Sequence, residues 1–219
     1  MNDLSELRRL RFYEALFFCA KIWALLALIA LLAFCHGCAA PGGKSFAAAI
    51  DAHNRGALLS CDIHEKKLKR IEDGADRLGI SILKTRAMDA RSYDPALESA
   101  FDAVLADVPC SGFGVIRKRP EIRWKEEEEI ARLPEIQADI LQNLSRYVRP
   151  GGVLLYSTCT ILKEENEEIV SSFLRHNEDF FPEDFTIGAI SSVSGCYTFW
   201  PQSDGTDGFF AAKLRRKAE

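Results

Sequence analysis

The chain has 219 residues, of which 47% are hydrophobic and 27% charged, and its formal net charge is −4. That length suits one α/β domain, with or without a short extension, whose core needs neither disulfides nor a structural metal. The negative charge excludes a domain that holds nucleic acid by bulk charge alone, although a local basic strip or a separate module can still recruit RNA. Seven cysteines are present. An odd number in a chain this long does not suit a disulfide framework, so a reducing cytoplasm and free thiols are expected.

In chain order, a polar start carrying Arg8, Arg9 and Arg11 gives way to an almost wholly apolar stretch, Leu16 to Cys38. Its uninterrupted part, Ile22–Phe34, falls short of the ~20 residues of a membrane span. It also has the form of a signal-peptide core. The reading adopted is a buried helix running into a buried strand, with no membrane association. A Gly-rich turn, Pro41-Gly42-Gly43-Lys44, leads into the helix-like run Ser45–Ala52. Ala57–Cys61 reads as a strand ending at Asp62. The spacing of Leu68, Ile71, Ala75 and Leu78 predicts a helix over His64–Leu78, stopped by Gly79. Further strands are expected at Ser81–Thr85, Phe101–Ala106, Val153–Ser157 and Gly208–Leu214, and further helices at Ile130–Tyr147 and Glu164–Arg175. Residues 176–206 read as a long irregular connection. Strands alternating with helices imply a mostly parallel sheet covered on both faces, with ligands beyond the carboxyl ends of the strands.

The polar residues of interest fall at those ends. The turn Cys38-Ala39-Ala40-Pro41-Gly42-Gly43-Lys44 opens a helix, whose N-terminus together with Lys44 suits the anionic end of a small ligand. Neither a dinucleotide fingerprint nor a P-loop is present. Asp62 can accept the hydroxyls of a ribose, or can cap the following helix. Asp89 can reach the base of the same nucleoside, or can simply form a turn. Cys110 sits in a stiff loop, Asp107-Val108-Pro109-Cys110-Ser111-Gly112, just past a strand. The alternative is a buried structural thiol. Cys159, in Ser157-Thr158-Cys159-Thr160, follows another strand, and both cysteines would face one cavity. The cysteines and histidines lack the spacing of a zinc site, and no metal is expected. Arg117, Lys118, Arg119, Arg123 and Lys125 form a basic strip with Trp124 inside it. The strip can hold phosphates while Trp124 or Phe113 stacks on an unpaired base, and the competing reading is a solvated charged loop.

Four motifs occur in order: Cys38–Ser45 (CAAPGGKS), Asp107–Gly114 (DVPCSGFG), Ser157–Thr160 (STCT) with Glu164-Glu165-Asn166-Glu167, and Asp207–Phe210 (DGFF). Together they resemble the RNA cytosine-5 methyltransferases, above all the bacterial small-subunit rRNA (Sun/Fmu) type, over residues 38–216. The resemblance implies a Rossmann-like S-adenosylmethionine-dependent methyltransferase fold. Its mostly parallel seven-stranded sheet would carry helices on both faces and an antiparallel edge near residues 180–188 and 208–214. It implies Cys159 as nucleophile toward cytosine carbon 6 and Cys110 as the group that assists product release. Asp107 would hydrogen-bond the base, with Lys44 close to base and cofactor. S-adenosylmethionine would lie on Cys38, Ala39, Ala40, Pro41, Gly42, Gly43, Lys44, Asp62, Asp89 and Asp107. The basic strip, through Arg117, Arg119, Arg123 and Trp124, would hold RNA, expected to be 16S rRNA. DNA cytosine-5 enzymes use the Pro-Cys cysteine as nucleophile, so the joint presence of Pro109-Cys110 and Thr158-Cys159 favours the RNA type.

The pattern breaks before Cys38. Where the family has a strand reading like Val-Leu-Asp, this chain has Phe34-Cys35-His36-Gly37. Residues 1–37 are therefore read as an atypical, degraded or misread segment ahead of a catalytic domain at 38–219. The family's amino-side RNA-binding domain is expected to be missing, and the chain to be a monomer. The competing readings are a catalytically impaired RNA-binding remnant and an exported protein led by residues 1–38.

Overall fold

The computed structural model describes residues 42–219 and the backbone of one strand before them, Ala33–His36. The expected buried helix before that strand, and Cys38, Ala39, Ala40 and Pro41, lie outside the described residues. The elements are β1 (Ala33–His36), α1 (Gly43–Asp51), β2 (Ala57–Asp62), α2 (Glu65–Leu78), β3 (Leu83–Ala87), β4 (Phe101–Asp107), α3 (Glu127–Ala131), α4 (Leu133–Ser145), β5 (Val148–Thr158) and α5 (Glu167–His176). After them come β6 (Phe180–Pro182), β7 (Thr186–Ile187), β8 (Ile190–Ser191), β9 (Cys196–Phe199), α6 (Pro201–Asp204) and β10 (Phe209–Arg216).

The main sheet runs β3-β2-β1-β4-β5-β10-β6, parallel from β3 to β5, with β10 antiparallel to β5. The chain winds outward from β1 to β3, then returns to β4 on the other side of β1. That reversal is the switch point at which open α/β sheets bind ligands. Period-2 alternation sorts β4 between two cores: Val104 and Ala106 pack with Leu141, Leu144 and Tyr156 on one face, and Ala103 and Leu105 with Ala48 and Leu155 on the other. On α2 the buried residues are Leu68, Ile71, Gly74 and Ala75, one stripe at helical spacing, and Gly79 ends the helix at φ 68°. Gly74 leaves room for the Phe46 ring of α1: a Cβ there would sit 2.4 Å from it.

The fold departs from expectation in five places. Its described strands number eight rather than seven. The extra strand arises because β9 and β6 share one edge of β10, β9 opposite Phe209–Ala212 and β6 opposite Leu214–Arg216. β10 is thus an inner strand, not an edge. Residues 176–206 hold β6 to β9 and α6 rather than irregular chain, in elements too short to show a period. The helix expected over Ile130–Tyr147 is two helices parted at Arg132, since Pro134 near the start of α4 cannot donate into a preceding turn. Finally, β5 begins at Val148, five residues before the expected start, and Phe101↔Val148 pairing continues across Pro150-Gly151-Gly152 through a register shift.

Candidate active site

The carboxyl ends of β1 to β5 lie along one edge. Registers Asp62↔Ala87 and Asp107↔Ser157 set the ends of β2, β3, β4 and β5 level in neighbouring pairs. Helix α1 starts at this edge from Gly42, whose φ of 101° only glycine adopts readily, and no side chain among the described residues caps it. Its first turn carries Lys44, whose Nζ lies 2.5 Å from Asp107 Oδ1 at the end of β4 and 5.5 Å from the centre of the Phe209 ring. Asp107 Oδ1 also accepts from Ser157 Oγ at 2.7 Å, which ties the ends of β4 and β5 together. Deeper down, Ser45 accepts a 2.8 Å bond from Ser60 and anchors α1 to β2.

The two cysteines meet. Cys110 Sγ and Cys159 Sγ are 3.0 Å apart, and the Cys159 amide donates to Cys110 Sγ at 3.2 Å. Neither thiol is fully buried. The hydrogen bond from Cys110 holds the Cys159 thiol below its ordinary value, opposed by burial and by the Asp107 charge and helped by Lys44. The same bond, with burial, drives the Cys110 thiol far up. The lowered Cys159 thiol and the raised Cys110 thiol together suit Cys110 as S–H donor to Cys159, the more readily ionised of the two.

The loops beneath the sulfurs are tightly built. Ser111 Oγ and Thr160 Oγ1, both buried, bond at 2.7 Å across the two loops. Gly114 donates to the Cys159 carbonyl at 3.0 Å and accepts from Gly208 at 2.8 Å, so the Asp107 loop, the Cys159 loop and the start of β10 meet backbone to backbone. A Cβ on Gly114 would lie 2.0 Å from the Gly208 oxygen, so no side chain fits there. Lys125 reaches back to the Cys110 and Ser111 carbonyls at 3.3 and 2.8 Å.

The expected nucleoside carboxylates make local bonds. Asp62, only 3% exposed, accepts from the His64 amide at 2.9 Å, with Lys67 3.5 Å away. Asp89 takes the Arg91 guanidinium on both oxygens, at 3.1 and 2.7 Å, and the Arg91 amide at 2.9 Å; the Arg91 side chain first, then its amide, hold the carboxyl below its usual range. In the basic strip, Arg117 and Lys118 face Asp207, at 3.4 and 2.7 Å, and Arg119 faces Glu121 at 3.0 Å. Arg123 is exposed, and Trp124 is 79% exposed on a single turn of 3-10 helix anchored by buried Ile122.

Sequence reasoning missed Glu165 and Gln137. Both are buried and both bond the Cys110 loop, Glu165 to the Ser111 amide and Gln137 to the Pro109 carbonyl. Glu165 lies inside one of the motifs, which was its only signal.

Residues 33–215 match the 16S rRNA methyltransferase RsmB/F family. The chain is 41% identical over 188 residues to the probable ribosomal RNA small subunit methyltransferase B of Bacillus subtilis, covering 82% of this chain and 42% of that protein. It is 36% identical over 183 residues to ribosomal RNA small subunit methyltransferase B of Yersinia enterocolitica, covering 82% and 41%. The chain therefore spans about two-fifths of the length of these curated relatives. The crystal structure of PH0851 superposes with a TM-score of 0.84 at 33% identity, over 90% of this chain and 46% of that one. NSun6 from Pyrococcus horikoshii, solved with SFG, gives 0.77 at 31%, over 91% and 52%. The fold is the Rossmann-like fold of S-adenosylmethionine-dependent methyltransferases, and the chain belongs to the RsmB/F family of 16S rRNA methyltransferases.

Proposed function

We propose that this chain is the catalytic part of an enzyme that methylates carbon 5 of a cytosine in RNA, with small-subunit rRNA as substrate and S-adenosylmethionine as methyl donor. The observation that carries the reading is the 3.0 Å approach of the Cys110 and Cys159 sulfurs beside the Lys44–Asp107 pair. Carbon 5 of cytosine is a poor nucleophile. Addition of the Cys159 thiolate to carbon 6 moves electron density onto carbon 5, splitting one hard step into easier ones. Asp107 holds the base, and Lys44 holds Asp107 and favours the Cys159 thiolate. After carbon 5 is substituted, Cys110 gives its proton to the departing Cys159 sulfur and takes up the carbon 5 proton in its place, which restores the aromatic ring.

The residues present fit the donor. A helix N-terminus without a side-chain cap among the described residues suits its carboxylate, and Asp62 and Asp89 at adjacent strand ends suit its hydroxyls and base. When bound, S-adenosylmethionine supplies an electrophilic methyl group. Arg123 and Trp124 face solvent beside the Cys110 loop and would hold the RNA, together with Arg117 and Arg119 once their acidic partners yield.

The test combines the protein with labelled S-adenosylmethionine and unmodified small-subunit rRNA and maps 5-methylcytosine. Cys159→Ala abolishes methyl transfer, a loss of about 10³-fold or more as for other removed nucleophiles, and forms no covalent RNA complex. Cys110→Ala accumulates that complex. The reverse pattern would falsify the assignment of the two thiols. A second reading, a catalytically impaired RNA-binding remnant, is favoured by His36 at the end of β1, where the family pattern has an acidic residue. Calorimetry decides between them, since a remnant takes up RNA but no methyl donor.

A further inference from the structure

A buried polar ring surrounds Cys110, and the proposed chemistry leaves it unused. Gln137 Nε2 donates to the Pro109 carbonyl at 2.9 Å and to Glu165 Oε2 at 2.7 Å. Glu165 Oε2 in turn accepts from the Ser111 amide at 2.9 Å. The peptide groups on both sides of Cys110 are thus gripped by one Gln–Glu pair. Gln137 is fully buried and Glu165 is 1% exposed. The pair is itself held from below, where Tyr156 donates its hydroxyl to the Glu165 carbonyl at 2.6 Å. The other side-chain oxygens, Gln137 Oε1 and Glu165 Oε1, have no hydrogen-bond partner among the described residues. Among the described residues, every bond these two side chains make goes either to the Cys110 loop or to each other. An apolar pair would take the partners from the Ser111 amide and the Pro109 carbonyl, but a neutral amide at 165 could accept from Ser111 as well, so the backbone bonds alone do not call for a carboxylate here.

We propose that Glu165 is a positioning residue which, with Gln137, brackets Cys110 between two fixed peptide groups and so makes Cys110 the hydrogen-bond donor to Cys159 rather than the reverse. Two thiols 3.0 Å apart could share one proton either way. Something outside the pair must break the symmetry. Lys44 favours charge on Cys159 against the stronger opposition of Asp107, and the Glu165 carboxylate disfavours a second negative charge on Cys110 against the Cys159 amide that donates to the Cys110 sulfur. The ring also fixes the backbone on both sides of Cys110, which holds its Cβ in place beside Cys159. The structure therefore assigns the identity of the nucleophile in part to a residue that touches neither sulfur.

This inference deepens the proposed function and rests on its assignment of the two thiols, but its test needs neither RNA nor methyl donor. The full chain is treated with iodoacetamide across a pH series, and alkylation of each cysteine is followed by peptide mass spectrometry. In the unsubstituted chain Cys159 is labelled at least ~10-fold faster than Cys110 near neutral pH. Glu165→Gln keeps the volume and an acceptor oxygen but removes the charge; it raises the Cys110:Cys159 labelling ratio several-fold while circular dichroism stays unchanged. Gln137→Met opens the ring with the carboxylate left in place, and raises the ratio less. Glu165→Asp, with charge but shorter reach, restores selectivity only in part. Equal labelling of the two cysteines in the unsubstituted chain overturns the proposal, and so does a folded Glu165→Gln protein with unchanged selectivity. Should Glu165→Gln fail to fold, an unchanged ratio in Gln137→Met overturns it instead. Intact selectivity without any RNA methylation would sink the proposed function and leave the Glu165 inference standing.

Discussion

The two halves of the site are built differently. On the β2–β3 side, Asp62 and Asp89 bond groups two residues away, and β3 is an edge strand with no fully buried residue. On the β4–β5 side, the links span 49 to 54 residues of sequence: Cys110 to Cys159, Ser111 to Thr160, Ser157 to Asp107, Ser111 to Glu165. β4 is buried along nearly its whole length. Local bonds can rearrange one at a time when a small ligand arrives, whereas a cross-linked network holds a reacting geometry and changes only as a unit. The side proposed for the methyl donor thus suits exchange and the thiol side suits preorganisation.

The sharpest way to break the contrast is on the thiol side. Gly114→Ala forces a methyl group against the Gly208 and Cys159 carbonyls, both rigid backbone. Overpacking of this kind costs about 1–3 kcal/mol, or several degrees of melting temperature in a chain of this size. Because the displaced carbonyl belongs to Cys159, selective alkylation of that thiol should fall along with stability. A melting temperature within a degree of the unsubstituted chain, with normal alkylation, would mean that the loops are not coupled through this contact.

The donor side should respond in the opposite way. Asp62→Asn keeps an oxygen that can accept from the His64 amide, so the melting temperature should hardly move. It removes the charged acceptor proposed for the ribose, a loss of about 1.5 kcal/mol or roughly tenfold in affinity for S-adenosylmethionine. Calorimetric titration of the donor checks this. A large loss of stability with unaltered affinity would make Asp62 a structural cap, the other reading that its position allowed.

Legibility in the sequence follows the same division. The meeting of Cys110 and Cys159 could be foreseen, because each follows a strand and parallel strands put their carboxyl ends on one edge. Helix α2 was legible almost to the residue, since its apolar spacing and Gly79 both act locally. What escaped depends on distant partners or on very short elements. Glu165 lies in an acidic run, Glu164 to Glu168, that looks like a solvated helix start. Only the Ser111 amide and Gln137, far away in sequence, reveal that one of its members is buried. Gln137 looks like the polar face of an amphipathic helix. Strands of two to four residues, such as β7 to β9, are too brief to show alternation. For Asp62 the sequence left ribose contact and helix cap both open, and for Asp89 base contact and a turn; the local bonds are what the structure displays.

The smallest expected effect sits at the junction of the two halves, and it has a sign. Lys44 rides on α1 from the donor side and Asp107 ends β4 on the thiol side, and their ion pair spans the boundary. Lys44 lowers the Cys159 thiol and Asp107 raises it. The reactive species is the thiolate, present above the folded-state value and lost as pH falls through it. Lys44→Met removes the cation, so the alkylation profile of Cys159 should move to higher pH and reactivity at neutral pH should drop. Asp107→Asn removes the anion, so the profile should move to lower pH, even though methyl transfer fails for want of the base contact. The Cys110 hydrogen bond, the largest influence on Cys159, is present in both variants, so each displacement should be smaller than that caused by Cys110→Ala, which should move the profile upward. Displacements of the same sign in the two charge variants would show that the pair acts on the thiol through packing. Opposite signs would show that the donor side tunes the nucleophile across the ion pair while leaving its geometry to the network beneath it.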